Sequence, residues 1–161
     1  MRFAALGRTA MLLDAIQACV AAGHEAVMVG TAKPAPEYKV GPKDFERVSR
    51  ELNCPYFCAS TLDTPTIVEL ILSCRPDVAI SVNWPTLIVP TVLAKFPQGI
   101  LNAHAGDLPR YRGNACPNWA ILAREPSMAV TIHRMVAELD AGPVLARREM
   151  SISPNTYVGD I

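Results

Sequence analysis

The chain has 161 residues, of which 50% are hydrophobic and 19% are charged, a composition that fits one soluble globular domain with a sizeable core. Fifteen Lys and Arg balance fifteen Asp and Glu, so no net charge would draw the chain to nucleic acid or to an anionic membrane. The first apolar run is too short for a signal peptide and no run reaches membrane-spanning length, so we expect a cytoplasmic protein.

The first half of the chain alternates short apolar runs with amphipathic stretches, which predicts strands alternating with helices. Thr9 is expected to cap the first helix, and Gly23 to end it. Three prolines and a glycine between positions 33 and 42 predict a loop. The predicted strands are 3–6, 25–29, 56–57 and 77–82, and the predicted helices are 10–20, 43–52 and 66–74.

The second half continues this alternation. Pro85 and Pro90 are expected to frame a short helix that contains Leu87, Ile88 and Leu93. A short strand at 100–101 then leads into a loop, a helix follows at 117–124, and two strands, 129–135 and 143–150, flank a turn. Near the end, Asn155 or Thr156 is expected to cap a further helix, which suggests that residues 1–161 are a domain truncated at its C-terminal end.

Repeated strand–helix–strand units predict an α/β fold, a Rossmann-like, mostly parallel sheet with helices on both faces. Ligands of such sheets bind at the carboxyl ends of the strands. The five cysteines, Cys19, Cys54, Cys58, Cys74 and Cys116, lack the paired spacing of a zinc site. We therefore expect free thiols and no metal.

The most informative residues are Asn102, His104 and Asp140. Residues i and i+2 of an extended segment share one face, so Asn102 and His104 can address one reacting atom from the end of their strand. Asp140 lies in the turn between the last two predicted strands, where a fold can bring it to the imidazole. An amide, an imidazole and a carboxylate together are typical of acyl transfer. Taken singly, the same residues are ordinary in loops, Asx turns and tight turns.

These residues belong to a longer pattern. The pattern comprises Asn102-Ala103-His104, Leu108-Pro109-x-x-Arg112-Gly113, Asn118-Trp119-Ala120-Ile121, Val130-Thr131-Ile132-His133-Arg134-Met135 and Asp140-Ala141-Gly142. It resembles the formyltransferase family, whose members use 10-formyltetrahydrofolate, and the resemblance covers the chain as that family's catalytic domain. It implies a Rossmann-like fold and a catalytic set of Asn102, His104 and Asp140.

The resemblance also implies a slot for the pterin ring of the folate. We expect its walls to come from Trp84, Leu87 and Ile88 and from the segment that contains Val136 and Leu139, and we expect Leu108 and Pro109 to contribute contacts. The segment around His133 looks closest to formyltransferases that act on nucleotide-linked amino sugars. We therefore expect an amino sugar on a nucleotide as the amine acceptor and methionyl-tRNA as the second choice. The sequence does not set the oligomeric state.

Other residues near the motif are assigned lesser roles. Gly106 and Asp107 precede Leu108, at positions where members of the family often have more apolar residues. Asp107 could therefore compete with Asp140 for His104. Arg112 could meet a phosphate, a carboxylate or Asp107, and Gly113 is expected to adopt a positive φ. His133 is expected to be structural or to support the site, and His24 to be structural.

Three alternative functions stay open. The same three residues could let water replace the amine, which would make a formyltetrahydrofolate hydrolase. The chain could bind folate without catalysis. A dinucleotide-binding enzyme is the weakest alternative, because Gly7 does not open a G-x-G-x-x-G loop.

Overall fold

The computed structural model describes all residues from Met1 to Ile161, with seven strands and five α-helices. The strands are β1 (Arg2–Gly7), β2 (Glu25–Thr31), β3 (Tyr56–Cys58), β4 (Val78–Val82), β5 (Ile100–His104), β6 (Ser127–Arg134) and β7 (Val144–Ser151). The helices are α1 (Ala10–Ala21), α2 (Pro42–Glu51), α3 (Pro65–Cys74), α4 (Pro90–Leu93) and α5 (Cys116–Leu122), and a short 3₁₀-helix spans Val158–Asp160.

The strands form one sheet in the order β3-β2-β1-β4-β5-β6-β7. β1 pairs in parallel with β2 and with β4, β2 pairs in parallel with β3, and β6 pairs antiparallel with β7. The predicted Rossmann-like α/β class is therefore confirmed. The antiparallel strand β7 lies at one edge of the sheet, and residues 135–143 join it to β6 without a crossover helix.

The chain groups into two compact units, Met1–Leu101 and Asn102–Ile161. In the first unit, β1 and β2 are almost continuously buried, as expected for parallel strands with both faces covered. Their core is completed by apolar stripes on α1 (Leu12, Ile16), α2 (Phe45, Val48) and α3 (Ile67, Ile71). None of the helices is both long and apolar enough to cross a membrane.

In the second unit, Met128, Thr131 and His133 of β6 are all buried, with Thr131 and His133 on one face of the strand and Met128 on the other. α5 contributes Cys116 and Ala120 to the buried interior. Every residue of β7 is exposed, so its pairing with β6 contributes hydrogen bonds rather than core volume. The register of this pair shifts between Ile132 and His133, and such a bulge re-aims side chains locally.

The structure corrects four local predictions. Pro90 begins α4 instead of ending a helix, because the first helical position needs no backbone N–H, and Leu87 and Ile88 lie outside any helix. Asn102 and His104 lie within β5 rather than in a loop after it. Thr9 occupies the N-cap position of α1, yet its hydroxyl makes no capping hydrogen bond. Thr156 instead accepts a hydrogen bond from the Ser153 N–H, so the chain turns before the final 3₁₀-helix.

Candidate active site

The second unit brings the three predicted catalytic side chains together. Asn102 and His104 are the third and fifth residues of β5, and both are 8% exposed. Asp140 adopts a left-handed backbone conformation, with φ of +46°, in the turn between β6 and β7. Its Oδ2 lies 3.6 Å from Nδ1 of His104. The predicted carboxylate–imidazole pair therefore forms.

The other nitrogen of His104 is bound by the loop that follows β5. Nε2 lies 2.7 Å from the backbone carbonyl oxygen of Tyr111. Because a carbonyl oxygen only accepts hydrogen bonds, Nε2 of His104 carries the proton of this contact. Tyr111 has a φ of +55°, a conformation that few non-glycine residues adopt. The Tyr111 hydroxyl donates to Glu125 at 2.7 Å, which ties the loop to the residues after α5.

Cys116 also contacts this carbonyl. Its thiol donates to the Tyr111 oxygen at 2.8 Å, and its Sγ lies 3.6 Å from Nε2 of His104. Burial, and then the charge of Asp140, raise the pKa of the Cys116 thiol. All five cysteines are free, as the sequence predicted, and Cys116 is protonated and buried against the His104 imidazole.

The carboxylate of Asp140 contacts three other residues of the site. Its Oδ2 accepts a hydrogen bond from the Gly113 N–H at 2.9 Å, and its Oδ1 lies 3.4 Å from Nε2 of His133. Burial raises the pKa of Asp140, but the hydrogen bonds from His133 and Gly113 and the charges of His104 and His133 outweigh it. The pKa is therefore below its usual value, and the carboxylate is ionised at neutral pH.

Gly113 has the positive φ that the sequence predicted, +89°, and this conformation accompanies the contact of its N–H with Asp140. Asp107, the rival carboxylate, pairs with Arg147 of β7 at 2.5 Å. Arg112 pairs with Glu138 at 3.4 Å, rather than with Asp107. Asp140 is thus the carboxylate that faces His104.

His133 supports the site more closely than its sequence position suggested. It is 1% exposed, and its Nε2 lies 3.1 Å from Nδ2 of Asn102 as well as 3.4 Å from Asp140. The imidazole rings of His104 and His133 are nearly perpendicular, with centroids 6.2 Å apart. Two residues before it, Thr131 donates to the Gly106 carbonyl at 2.6 Å. The alternation of Thr131 and His133 on one face of a strand was the available sequence signal.

The side chains expected to contact folate are divided between the units. In the first unit, Trp84 and Ile88 are buried and Leu87 is 68% exposed. The Trp84 indole N–H is buried without a hydrogen-bond partner, and Phe57 packs edge-on against the ring. In the second unit, Leu108 is buried, whereas Pro109, Val136 and Leu139 are exposed. Among the described residues, no group of three or more His, Cys, Asp or Glu side chains is arranged to hold a metal ion.

Solved structures with the same fold include several formyl-transferring enzymes. A phosphoribosylglycinamide formyltransferase from Bacillus halodurans matches 99% of this chain and 84% of its own, at 24% identity and a TM-score of 0.81. A formyltetrahydrofolate deformylase from Pseudomonas syringae pv. tomato matches 99% of this chain and 53% of its own, at 16% identity and a TM-score of 0.80. A sugar N-formyltransferase from a Shewanella species matches 95% and 58%, at 17% identity and a TM-score of 0.68.

At these identities the likeness establishes the fold. The family follows from the sequence itself, because the family model described as formyl transferase matches residues 1–161, the whole of this chain. With the predicted amide, imidazole and carboxylate brought together in one buried cluster, the chain belongs to the formyltransferase family of folate-dependent enzymes.

Proposed function

We propose that this chain transfers a formyl group from 10-formyltetrahydrofolate to a primary amine. The observation that carries the proposal is the contact of Asp140 with His104, within one buried cluster that includes Asn102. When bound, the folate would supply an activated formyl group. The amine would form a bond to the formyl carbon while the bond from that carbon to N10 of the folate breaks, and the proton lost by the amine would be balanced by one delivered to N10. The step requires stabilisation of negative charge on the formyl oxygen.

Each of the three side chains has a role that fits this chemistry. The Asn102 amide is a neutral donor, and a buried donor aimed at a developing oxyanion stabilises the transition state by about 3–4 kcal/mol. His104 lies on the same face of β5 and can donate to the same oxygen or take up the proton of the amine. Asp140 orients the imidazole and, being ionised, can stabilise positive charge on it. No covalent enzyme intermediate is needed.

His104 must change partner to act on substrate. Its Nε2 donates to the Tyr111 carbonyl and its Nδ1 lies 3.6 Å from Asp140, so neither ring nitrogen is free to contact a substrate. The loop from Ala105 to Ala115 carries that carbonyl and contains Leu108 and Pro109. We propose that the bound donor contacts this loop and the exposed side chains of Val136 and Leu139, and that His104 exchanges the Tyr111 carbonyl for the reacting groups.

The acceptor is proposed to be a small amine, first among them an amino sugar linked to a nucleotide, and then methionyl-tRNA. The balanced charge of the chain gives no electrostatic reason to expect a nucleic acid. Phosphoribosylglycinamide is a further candidate acceptor, because a phosphoribosylglycinamide formyltransferase has the same fold. The location is proposed to be cytoplasmic.

Single-turnover loss of the formyl group from 10-formyltetrahydrofolate, followed optically, tests the proposal. The acceptor panel contains aminated nucleotide sugars, phosphoribosylglycinamide, methionyl-tRNA and water. Loss that depends on one acceptor, and that falls at least a hundredfold in Asn102→Ala and in His104→Ala, supports the proposal and names the acceptor. His24→Ala, which alters a histidine outside this cluster, serves as the matched control and should retain wild-type rates.

Two other outcomes identify the alternatives. Equal loss with every acceptor and with water alone identifies a hydrolase, a function suggested by the deformylase with the same fold. Folate binding without turnover of any kind, while wild-type protein and controls are folded, identifies a binding module and contradicts the proposal. A steep loss of acceptor binding with added salt would distinguish tRNA from a small acceptor.

A further inference from the structure

His133 is a buried histidine to which the chemistry above assigns no role. Its Nε2 has two neighbours, Nδ2 of Asn102 at 3.1 Å and Oδ1 of Asp140 at 3.4 Å. Its Nδ1 is buried and has no hydrogen-bond partner. A neutral imidazole has one nitrogen that donates and one that accepts. The two contacts of Nε2 and the missing partner of Nδ1 therefore restrict which nitrogen carries the proton.

If Nδ2 of Asn102 donates to Nε2, the proton of the His133 ring must be on Nδ1. That N–H would then be buried without an acceptor, one of the most unfavourable conditions for a polar group. The lone pair of Nε2 would also face the carboxylate oxygen of Asp140, so two acceptors would be in contact. This arrangement leaves one donor unsatisfied and one contact repulsive.

Placing the proton on Nε2 removes both problems. The N–H then donates to Oδ1 of Asp140, and only an unprotonated Nδ1 is left without a partner, which is less unfavourable than a buried N–H. Asn102 must now present an acceptor to the same N–H. The oxygen and nitrogen of an amide are nearly equal in size, so a half-turn of the amide group exchanges them without moving its neighbours.

We infer that His133 is a positioning residue whose Nε2–H is shared by the amide oxygen of Asn102 and Oδ1 of Asp140. The NH₂ of Asn102 is thereby turned away from His133 and left free to donate to the substrate. The effect of His133 on catalysis rests on the proposed function. The position of the proton on its ring does not. Without His133 the amide oxygen of Asn102 would lose this hydrogen bond, and the direction of its NH₂ would no longer be fixed.

The position of the proton is directly measurable in the wild-type protein. Long-range ¹H–¹⁵N correlation spectra of protein labelled with ¹⁵N-histidine distinguish a protonated ring nitrogen from an unprotonated one. The signals of His133 are assigned by their loss in His133→Gln, and only His24 and His104 contribute otherwise. A protonated Nε2 with an unprotonated Nδ1 supports the inference. A proton on Nδ1, alone or together with one on Nε2, overturns it whether or not the protein is a formyltransferase.

A matched pair of variants tests the catalytic consequence with the acceptor that the panel identifies. Gln at position 133 places an amide N–H near the position of Nε2, whereas Asn places it near Nδ1 and leaves the position of Nε2 empty. We expect His133→Gln to retain kcat within about tenfold and His133→Asn to lose more than tenfold relative to the Gln variant, with the KM for the folate unchanged in both. Equal kcat values in two folded variants would overturn the inference. Met128→Leu, at a buried position of the same strand, controls for repacking of β6.

Discussion

Gly106 lies directly against the imidazole of His104. A methyl group on its Cα would be 2.5 Å from Nε2 of His104 and 2.4 Å from the Tyr111 carbonyl oxygen, closer than non-bonded atoms approach. The absence of a side chain at position 106 is therefore what allows the hydrogen bond between these two groups. This requirement is steric, since Gly106 is not among the residues with a positive φ.

Gly106→Ala is expected to lower kcat at least tenfold and to destabilise the fold by about 1–3 kcal/mol, because the added methyl group must displace the backbone of Tyr111 and the ring of His104 from its position beside Asp140. Steady-state kinetics and chemical denaturation measure the two effects. Gly159→Ala is the control, because a methyl group there meets nothing within 4 Å. Wild-type kinetics in Gly106→Ala would show that the contact between His104 and Tyr111 has no part in catalysis.

Asp140 and Asp107 should differ sharply when each is replaced by its amide. Asp140→Asn removes the charge that faces His104, and kcat should fall at least a hundredfold. Asp107→Asn weakens only a half-exposed ion pair with Arg147, and kcat should change less than threefold. The ratio of the two kcat values is the measurement. Equal losses would mean that Asp107, not Asp140 alone, acts on the imidazole.

Acid should destabilise the protein through Asp140. The pKa of its carboxyl is lowered in the folded protein, so its contribution to stability is complete above the ordinary aspartate pKa of about 3.9. That contribution disappears as the pH falls through the lowered value. Denaturation midpoints measured between pH 2 and pH 7 should converge for wild type and Asp140→Asn at the acid end. A gap between the two that stays constant over this range would contradict the assignment.

Cys116 should resist alkylation. Burial and the charge of Asp140 raise the pKa of its thiol, and the S–H is bound to the Tyr111 carbonyl, whereas Cys58 is exposed. Iodoacetamide at pH 8 should modify Cys58 at least tenfold faster than Cys116, as followed by peptide mass spectrometry. Urea should equalise the two rates. Rapid modification of Cys116 in the folded protein would mean that the loop around Tyr111 opens readily.

The hydroxyl of Tyr111 should influence activity without touching the reacting groups. It donates to Glu125, and this bond helps to hold the residue whose carbonyl binds His104. Tyr111→Phe is expected to cost about 0.5–1.5 kcal/mol of stability and to lower kcat two- to tenfold, since the carbonyl itself remains. Calorimetry and kinetics test this. A kcat loss as large as that of His104→Ala would instead assign the hydroxyl to the reaction.

Most of the fold was predictable because apolar periodicity reports burial. The predicted ends of β1, β2 and β4 lie within one or two residues of the observed ends. Their nearly continuous apolar runs are typical of strands covered on both faces. Of the helix predicted around Pro85 and Pro90, Leu93 lies in α4 but Leu87 and Ile88 do not, because proline is also compatible with the first position of a helix. Thr9 showed where α1 begins, yet its hydroxyl does not cap the helix.

The candidate site was predictable in its side chains and not in its backbone. Asn102, His104 and Asp140 were identified from a pattern and an order along the chain. The partner of Nε2 of His104 is the main-chain carbonyl of Tyr111, a residue with a positive φ, and a tyrosine in the sequence does not signal such a conformation. The sequence identified Cys116 only as a free thiol. Its place beside His104 could not be predicted, because it depends on a hydrogen bond to the same carbonyl.

Asp140 uses two oxygens to serve three groups: the Gly113 N–H, His104 and His133. Substitutions at these positions cannot then act independently, because each changes how the carboxylate is shared among the remaining partners. The resulting epistasis has an evolutionary consequence. A substitution of His133 is therefore expected to be tolerated more readily where another residue already contacts Asp140.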